Sequence, residues 1–263
     1  MIVRTCEWVE QATGGKLVGT PADPHLLIQG VSTDSRKRSE GSLFVPLKGE
    51  NFDGHQFLKQ AIQAGCIASL WKEEVPIPEN VTIPFILVED PLTALQQLAS
   101  CYRNELDIPI VAVTGSNGKT TTKDLISSVL SSKYRVAKTQ GNLNNLIGVP
   151  LTILSMPEET EIGVVEMGMN QKGEISQLSK IARPNVAVIT NIGESHLEFL
   201  GTRAGIAEAK WEITEGLKPD GILIINGDDP ILLERISTIE QDVVRIGFGT
   251  ENDQYPLEIE TRG

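Results

Sequence analysis

The sequence predicts an α/β protein. A small mixed α/β N-terminal domain is followed by a P-loop-type, mostly parallel sheet flanked by helices. Three observations carry this. After Pro109, short apolar runs alternate with helical patterns. The runs are continuous rather than alternating, as strands buried on both faces are. The first of them, Ile110–Val113, leads into a Gly-rich turn and then a helix.

The elements follow in order. "CEWVEQATGG" predicts a helix stopped by Gly14 and Gly15. "HLLIQGVSTDSR" and "SLFVPL" predict strands. "HQFLKQAIQAG" puts Phe57, Leu58, Ala61 and Ile62 on one helical face, with Gly65 as its stop. "CIASLW" and "PFILVED" predict further strands. Asp90 then caps a helix that has Pro91 at its first position and ends near Leu106. A boundary near Asp107–Pro109 divides the chain into domains 1–107 and 108–263. Strands are expected at Ile110–Val113, Arg135–Ala137, Ile162–Met167, Val186–Ile189, Gly221–Ile225 and Val243–Ile246. Helices are expected from the Gly-rich turn to about Leu130 and over "GEISQLSKIA", "RAGIAEAKWEITEGL" and "PILLERIS". "YPLEIETR" alternates with the period of a half-buried strand.

Composition narrows the function. Lys and Arg total 23 against 35 Asp and Glu, a formal net charge of -12, which disfavours nucleic acid as a partner but not a nucleotide. The three scattered cysteines match no zinc spacing and suit a reducing cytoplasm. The N-terminus has acids and no long apolar run, so neither a signal peptide nor membrane insertion is expected.

"VTGSNGKTTTK", residues 113–123, carries the chemistry. Its glycines let backbone N–H groups turn inward without a Cβ in the way. The helix that follows adds a partial positive charge and free donors. Lys119 supplies a full charge and Thr120 a hydroxyl suited to Mg²⁺. Val113 occupies the first glycine position of the G-x-x-x-x-G-K-[ST] pattern. The plainer alternative is a Gly-rich turn with a solvated lysine.

Ligands of open parallel sheets bind beyond the carboxyl ends of the strands. Glu166 ends the run "IGVVE", where it is either a metal ligand or a carboxylate paired to a lysine or a backbone donor. His196 follows another strand and is either a ligand or a structural hydrogen-bonding group. Lys210, between Glu208 and Glu212, reads by composition as a solvated helical lysine. Asn226, Asp228 and Asp229 follow a further strand, and either aspartate could cap the helix that starts at Pro230.

With these residues in view, the chain resembles the ATP-dependent Mur ligases of bacterial peptidoglycan synthesis. "TGSNGKTTTK", "VVEMGMNQKGEI", "ARPNVAVITNIGESHLEFLG", "AEAKWEI" and "INGDDP" stand in that family's order and spacing. "TDSRKRSEGSLFVPLKGENFDGHQF" resembles the family's UDP-sugar module. "GNLNNLIGVPLT" favours the branch that adds D-Ala-D-Ala to UDP-MurNAc-tripeptide.

The resemblance implies roles. Gly115, Ser116, Asn117, Gly118, Lys119, Thr120 and Thr121 would cradle the phosphates of ATP, with Lys119 on the γ-phosphate. Thr120 and Glu166 would help hold one Mg²⁺, and His196 a second. Lys210 would be carbamylated by CO₂ and so become a metal ligand. Asn226 and Asp229 would lie near the adenosine. Asn142, Asn144 and Asn145 would face the muramoyl-peptide. Asp34, Ser35, Arg36 and the segment "FDGH" would bind the UDP-sugar, with Arg36 either pairing with the diphosphate or bracing the loop through Asp34. A monomer is expected. Leu146 stands where many relatives carry an acid. The chain also stops before the family's C-terminal Rossmann-like domain, so the ATP-binding domain is expected to be incomplete at its end.

Overall fold

The computed structural model describes residues 1–19, 26–49, 52–193 and 201–258. The chain forms two compact units, one of residues 1–107 with 150–158 and the other of residues 108–149 with 159–263.

The first unit opens with β1 (Val3–Thr5) and α1 (Cys6–Thr13), which stops at Gly14 in the left-handed region (φ 63°). β2 (Lys16–Val18), β3 (Leu27–Gln29), β4 (Val31–Ser32) and β5 (Leu43–Phe44) follow. A 3-10 turn at Gly54–Phe57 leads into α2 (Leu58–Gln63), and β6 (Ala68–Lys72), β7 (Phe85–Val88) and α3 (Pro91–Leu106) complete the run. The strand expected over "HLLIQGVSTDSR" is broken. Gly30, at φ 91°, turns the chain so that β3 pairs antiparallel with β1 while β4 joins another sheet. That sheet has the order β2-β7-β6-β5-β4, parallel except for β2. Trp71 lies at its core, edge-on to Phe85 and to His55.

Asp90 caps α3, its carboxylate accepting from Thr93 N at 2.9 Å, and Pro91 takes the first position, where a missing N–H costs nothing. Pro150–Glu158 packs with this unit. Met156 O accepts from the buried Tyr102 hydroxyl at 2.7 Å, and Leu154 O accepts from Ile2 N at 2.8 Å. Arg4 adds ion pairs to Glu105 and Glu158, both at 2.7 Å.

The second unit is a six-stranded, wholly parallel sheet. Its strands are β8 (Ile110–Thr114), β9 (Val136–Lys138), β10 (Ile162–Glu166), β11 (Val186–Ile189), β12 (Ile222–Asn226) and β13 (Asp242–Ile246), in the order β13-β12-β11-β8-β10-β9. Val113, Val164 and Val188 pack together at its centre with Ile126 and Leu130 over them. Among the described residues its helices are α4 (Lys119–Leu130), α6 (Glu174–Ala182), α7 (Arg203–Trp211) and α8 (Pro230–Leu233), while α5 (Gly148–Leu154) starts in this unit and runs into the 150–158 segment of the first. The chain builds β9 and β10 on one side of β8 and β11 to β13 on the other, so the end of β8 is the switch point where this architecture binds ligands.

Further expectations change, and the helix expected over "RAGIAEAKWEITEGL" is an α-helix over Arg203–Trp211 that continues as a 3-10 turn at Glu212–Gly216. "PILLERIS" is helical only over Pro230–Leu233, with a 3-10 turn at Ile236–Thr238. Residues 255–258 of the strand expected over "YPLEIETR" are not in a strand, and the rest of it lies outside the described residues. α5 was not expected, because Gly148 and Pro150 argue against a helix. Pro150 is tolerated since it stands in the first turn, where N–H groups have no partner within the helix. Among the described residues, no helix is long and apolar enough to cross a membrane.

Candidate functional site

Val113 is fully buried and pairs with both β10 and β11, so the strand runs two residues into the motif, through Thr114, and no glycine is needed at Val113. The turn begins at Gly115 (φ 150°), where a Cβ would collide with Thr190 Oγ1. Gly118, at φ 80°, opens α4. The loop after β11 holds the turn in shape. Asn191 O accepts from Ser116 N (3.0 Å) and Asn191 Oδ1 from Asn117 N (3.0 Å). Thr190 Oγ1 and Asn191 Nδ2 both donate to Asn117 O (2.6 and 2.9 Å), and Gly193 N donates to Ser116 Oγ (2.8 Å). Sequence reasoning missed Thr190 and Asn191. The signal was available, since "TNIG" follows the strand beside β8, but their work is backbone support.

Lys119 arches over the turn and donates to Gly115 O at 2.9 Å and Ser116 O at 3.4 Å. Burial lowers its pKa, against a raising effect from Glu166. Glu166 is 1% exposed, and both its oxygens are engaged. Oε2 accepts from Thr120 Oγ1 at 2.9 Å and Oε1 from Asn144 Nδ2 at 2.8 Å. Its partners are thus a hydroxyl and an amide. Asn144 O also accepts from Gly168 N at 2.7 Å, and Asn145 Oδ1 accepts from Gly148 N at 2.8 Å at the start of α5. Asn142 is exposed, its carbonyl accepting from Asn144 N at 2.8 Å, and Thr121 is exposed on α4.

A cleft of about 210 Å³ brings Lys119, Asn144, Asn145, Glu174 and Lys210 together. Lys210 is 2% exposed, which corrects the compositional reading of a solvated lysine. Burial, with Lys119 nearby, pushes its pKa down to about 7. Its neighbours in sequence act elsewhere. Glu208 pairs with Lys172 at 2.6 Å, and Glu212 accepts from Gly173 N at 2.8 Å at the head of α6. His196 lies outside the described residues.

Asp229 serves the frame. It caps α8 through Ile231 N and accepts from Ile192 N, both at 3.2 Å, and Ile192 belongs to the loop that braces the turn. Asn226 Oδ1 accepts from Asp228 N at 3.0 Å. In the first unit, Asp34, Ser35 and Arg36 line a cleft of about 340 Å³ with Phe52, Phe57 and Gln60. Arg36 grips Asp34 through Nε (2.8 Å) and Nη2 (3.0 Å), so it braces the loop, and this holds the Asp34 pKa down at about 2. Asp53 accepts from His55 Nδ1 at 2.6 Å.

The donor set suits magnesium, which takes oxygen ligands and typically one or two carboxylates besides phosphate. Thr120 and Glu166 present a hydroxyl and a carboxylate side by side at the head of α4. Among the described residues, no three His, Cys, Asp or Glu side chains gather into a metal cluster.

A family model described as "Mur ligase middle domain" matches residues 113–262, and one described as "Mur ligase family, catalytic domain" matches residues 27–103. The UDP-N-acetylmuramoyl-tripeptide–D-alanyl-D-alanine ligase of Bacillus subtilis is 55% identical over 98% of this chain and 55% of its own length. The ligase of the same name from Escherichia coli is 40% identical over 87% and 49%. A crystal structure of MurF from Acinetobacter baumannii superposes with a TM-score of 0.89 at 36% identity, covering 99% of this chain and 56% of that one. A MurF ligase from Thermotoga maritima in complex with ADP gives 0.77 at 36% identity, covering 86% and 52%. The chain spans about half the length of the curated relatives it matches. The Gly-rich turn, Glu166 and Lys210 all fall within the stretch matched by the middle-domain model, which takes in more than half of the sequence, and the chain belongs to the Mur ligase family.

Proposed function

We propose that this chain carries the nucleotide and muramoyl-peptide sites of an ATP-dependent amide ligase that adds D-Ala-D-Ala to UDP-MurNAc-tripeptide in the cytoplasm. The observation that carries the reading is the convergence of Lys119, the Thr120–Glu166–Asn144 chain and a buried Lys210 on one cleft at the head of α4. The names of the relatives at 55% and 40% identity support the substrate assignment. The ADP complex of a MurF ligase supports the nucleotide.

In this reading residues 108–263 take ATP and residues 1–107 take the UDP-sugar through Asp34, Ser35 and Arg36. The peptide carboxylate attacks the γ-phosphorus of ATP and ADP leaves, giving an acyl phosphate. The amine of D-Ala-D-Ala then attacks the acyl carbon, loses a proton and expels phosphate. The backbone N–H groups of residues 115–120 and the head of α4 bind the phosphates, and Lys119 balances charge that grows on the transferring group. Thr120 and Glu166 would hold a Mg²⁺, with His196 at a second. When bound, the metal offsets phosphate charge. Asn226 and Asp229 stand towards the adenosine, and Asn142, Asn144 and Asn145 towards the peptide.

Carbamylation of Lys210 requires the neutral amine, which adds to CO₂ and releases a proton. A pKa of about 7 makes that form abundant at neutral pH. The test is ADP release with ATP, UDP-MurNAc-tripeptide and D-Ala-D-Ala. Release should need both substrates, and release indifferent to either would overturn the assignment.

A further inference from the structure

Lys123 follows Lys119 by four residues on α4, so the two side chains leave the same face of the helix. It is 3% exposed. Its ammonium donates to Thr139 O at 2.9 Å and lies 3.4 Å from Asp124 Oδ1, which also holds Lys138 at 2.7 Å. Thr139 is fully buried, and every polar group it has is engaged. Its N donates to Val164 O (3.0 Å), its Oγ1 accepts from Glu166 N (2.9 Å), and its carbonyl takes Lys123. The loop 140–147 starts from this residue and comes back to β10 through Asn144, on Glu166 Oε1 and on Gly168 N.

Packing does not account for the amine. Taking an ammonium out of water is costly, and a methionine of similar length would fill the same space more cheaply. Besides its 3.4 Å ion pair with Asp124 on its own helix, the amine adds a bond from the helix of the phosphate turn to the root of the loop that carries Asn144 and Asn145. We propose that Lys123 is a positioning residue. It ties the loop 140–147 to α4, so that Asn144 and Asn145 stand at the cleft in register with Lys119 and Thr120. The kinetic part of this inference rests on the ligase reading above.

The test is Lys123→Met in the enzyme, with stability followed by urea unfolding. Amide hydrogen exchange should speed up in residues 140–147 and stay unchanged in α4. KM for UDP-MurNAc-tripeptide should rise about tenfold, the loss of one charged hydrogen bond. KM for ATP should stay within about twofold. Asn144→Ala should make Lys123→Met nearly silent in the same KM, since both act through one loop. Lys123→Gln keeps an N–H donor and should recover part of the exchange protection. In the unaltered protein, saturating ADP should slow exchange at 140–147 as well as at the phosphate turn, which tests the tie without any substitution. Unchanged exchange at 140–147 in Lys123→Met, an equal rise in both KM values, or additive effects with Asn144→Ala would overturn the proposal. If the enzyme shows no activity with these substrates, the ligase reading fails, while the exchange comparison still decides the positioning role.

Discussion

Replacing Lys210 with methionine should make the second unit more stable at neutral pH. Lys210 is 2% exposed, and its pKa falls from 10.5 to about 7. Between those values the unfolded chain binds a proton that the folded chain does not, so stability climbs as pH rises through this window. At pH 7 the penalty is about 4 kcal/mol, and at pH 9.5 it is roughly 1.4 kcal/mol. Above the unfolded value it vanishes. Methionine has nearly the same length and no charge, so Lys210→Met should gain close to these amounts. The assay is urea unfolding in CO₂-free buffer at pH 7 and pH 9.5, read by hydrogen exchange of the peptide that carries α7. CO₂ is removed so that the lysine stays an amine. The variant's advantage should shrink by about 3 kcal/mol between the two pH values. Equal stability of the two proteins at pH 7, or an advantage that does not change with pH, would refute the claim that burial holds this amine down.

Three further outcomes are expected. Lys119→Ala should weaken nucleotide binding by about 1.5–3 kcal/mol, the value of a charge-assisted contact, and isothermal titration with ADP checks it. Tyr102→Phe should cost about 1–3 kcal/mol in urea unfolding of the first unit, because Met156 O loses a buried donor. The Asp34 carboxyl should titrate near 2 by NMR. Its bond to Arg36 therefore stabilises the fold fully above the ordinary value of about 3.9 and is lost only as pH falls through the folded value; in Arg36→Ala the midpoint should return to the ordinary range.

How much of this the sequence reveals depends on where the information lies. β8, β10, β11 and β12 are legible because strands covered on both faces must be apolar throughout. α3 is legible from Asp90 and Pro91. β1 and β2 are three residues each, too short for any period to show. α5 was hidden by two residues that usually end helices. In the candidate site, Lys119, Thr120 and Glu166 stand out by position alone, at the ends of adjacent strands. Asn144 entered only through the family likeness, because its partner is 22 residues away in sequence. Lys210 looked solvated between two glutamates. Yet Ile206, Ala207 and Lys210 fall on one helical stripe, and that spacing was the available sign of burial.

The segment Pro150–Glu158 belongs by its packing to the first unit, although β8, α4 and β9 of the second precede it in the chain. During synthesis, then, the N-terminal unit cannot finish when its first 107 residues have left the ribosome. It must wait for about fifty more, roughly 3–10 s at ordinary elongation rates. Over that interval its core stays open where Ile153, Leu154 and Met156 will close it, while the Gly-rich turn and α4 are already outside. The first unit thus closes only after β8, α4 and β9 of the second have been made, although it still closes before β10 to β13 exist. Exchanging the N-terminal unit between relatives would require moving two stretches of gene together.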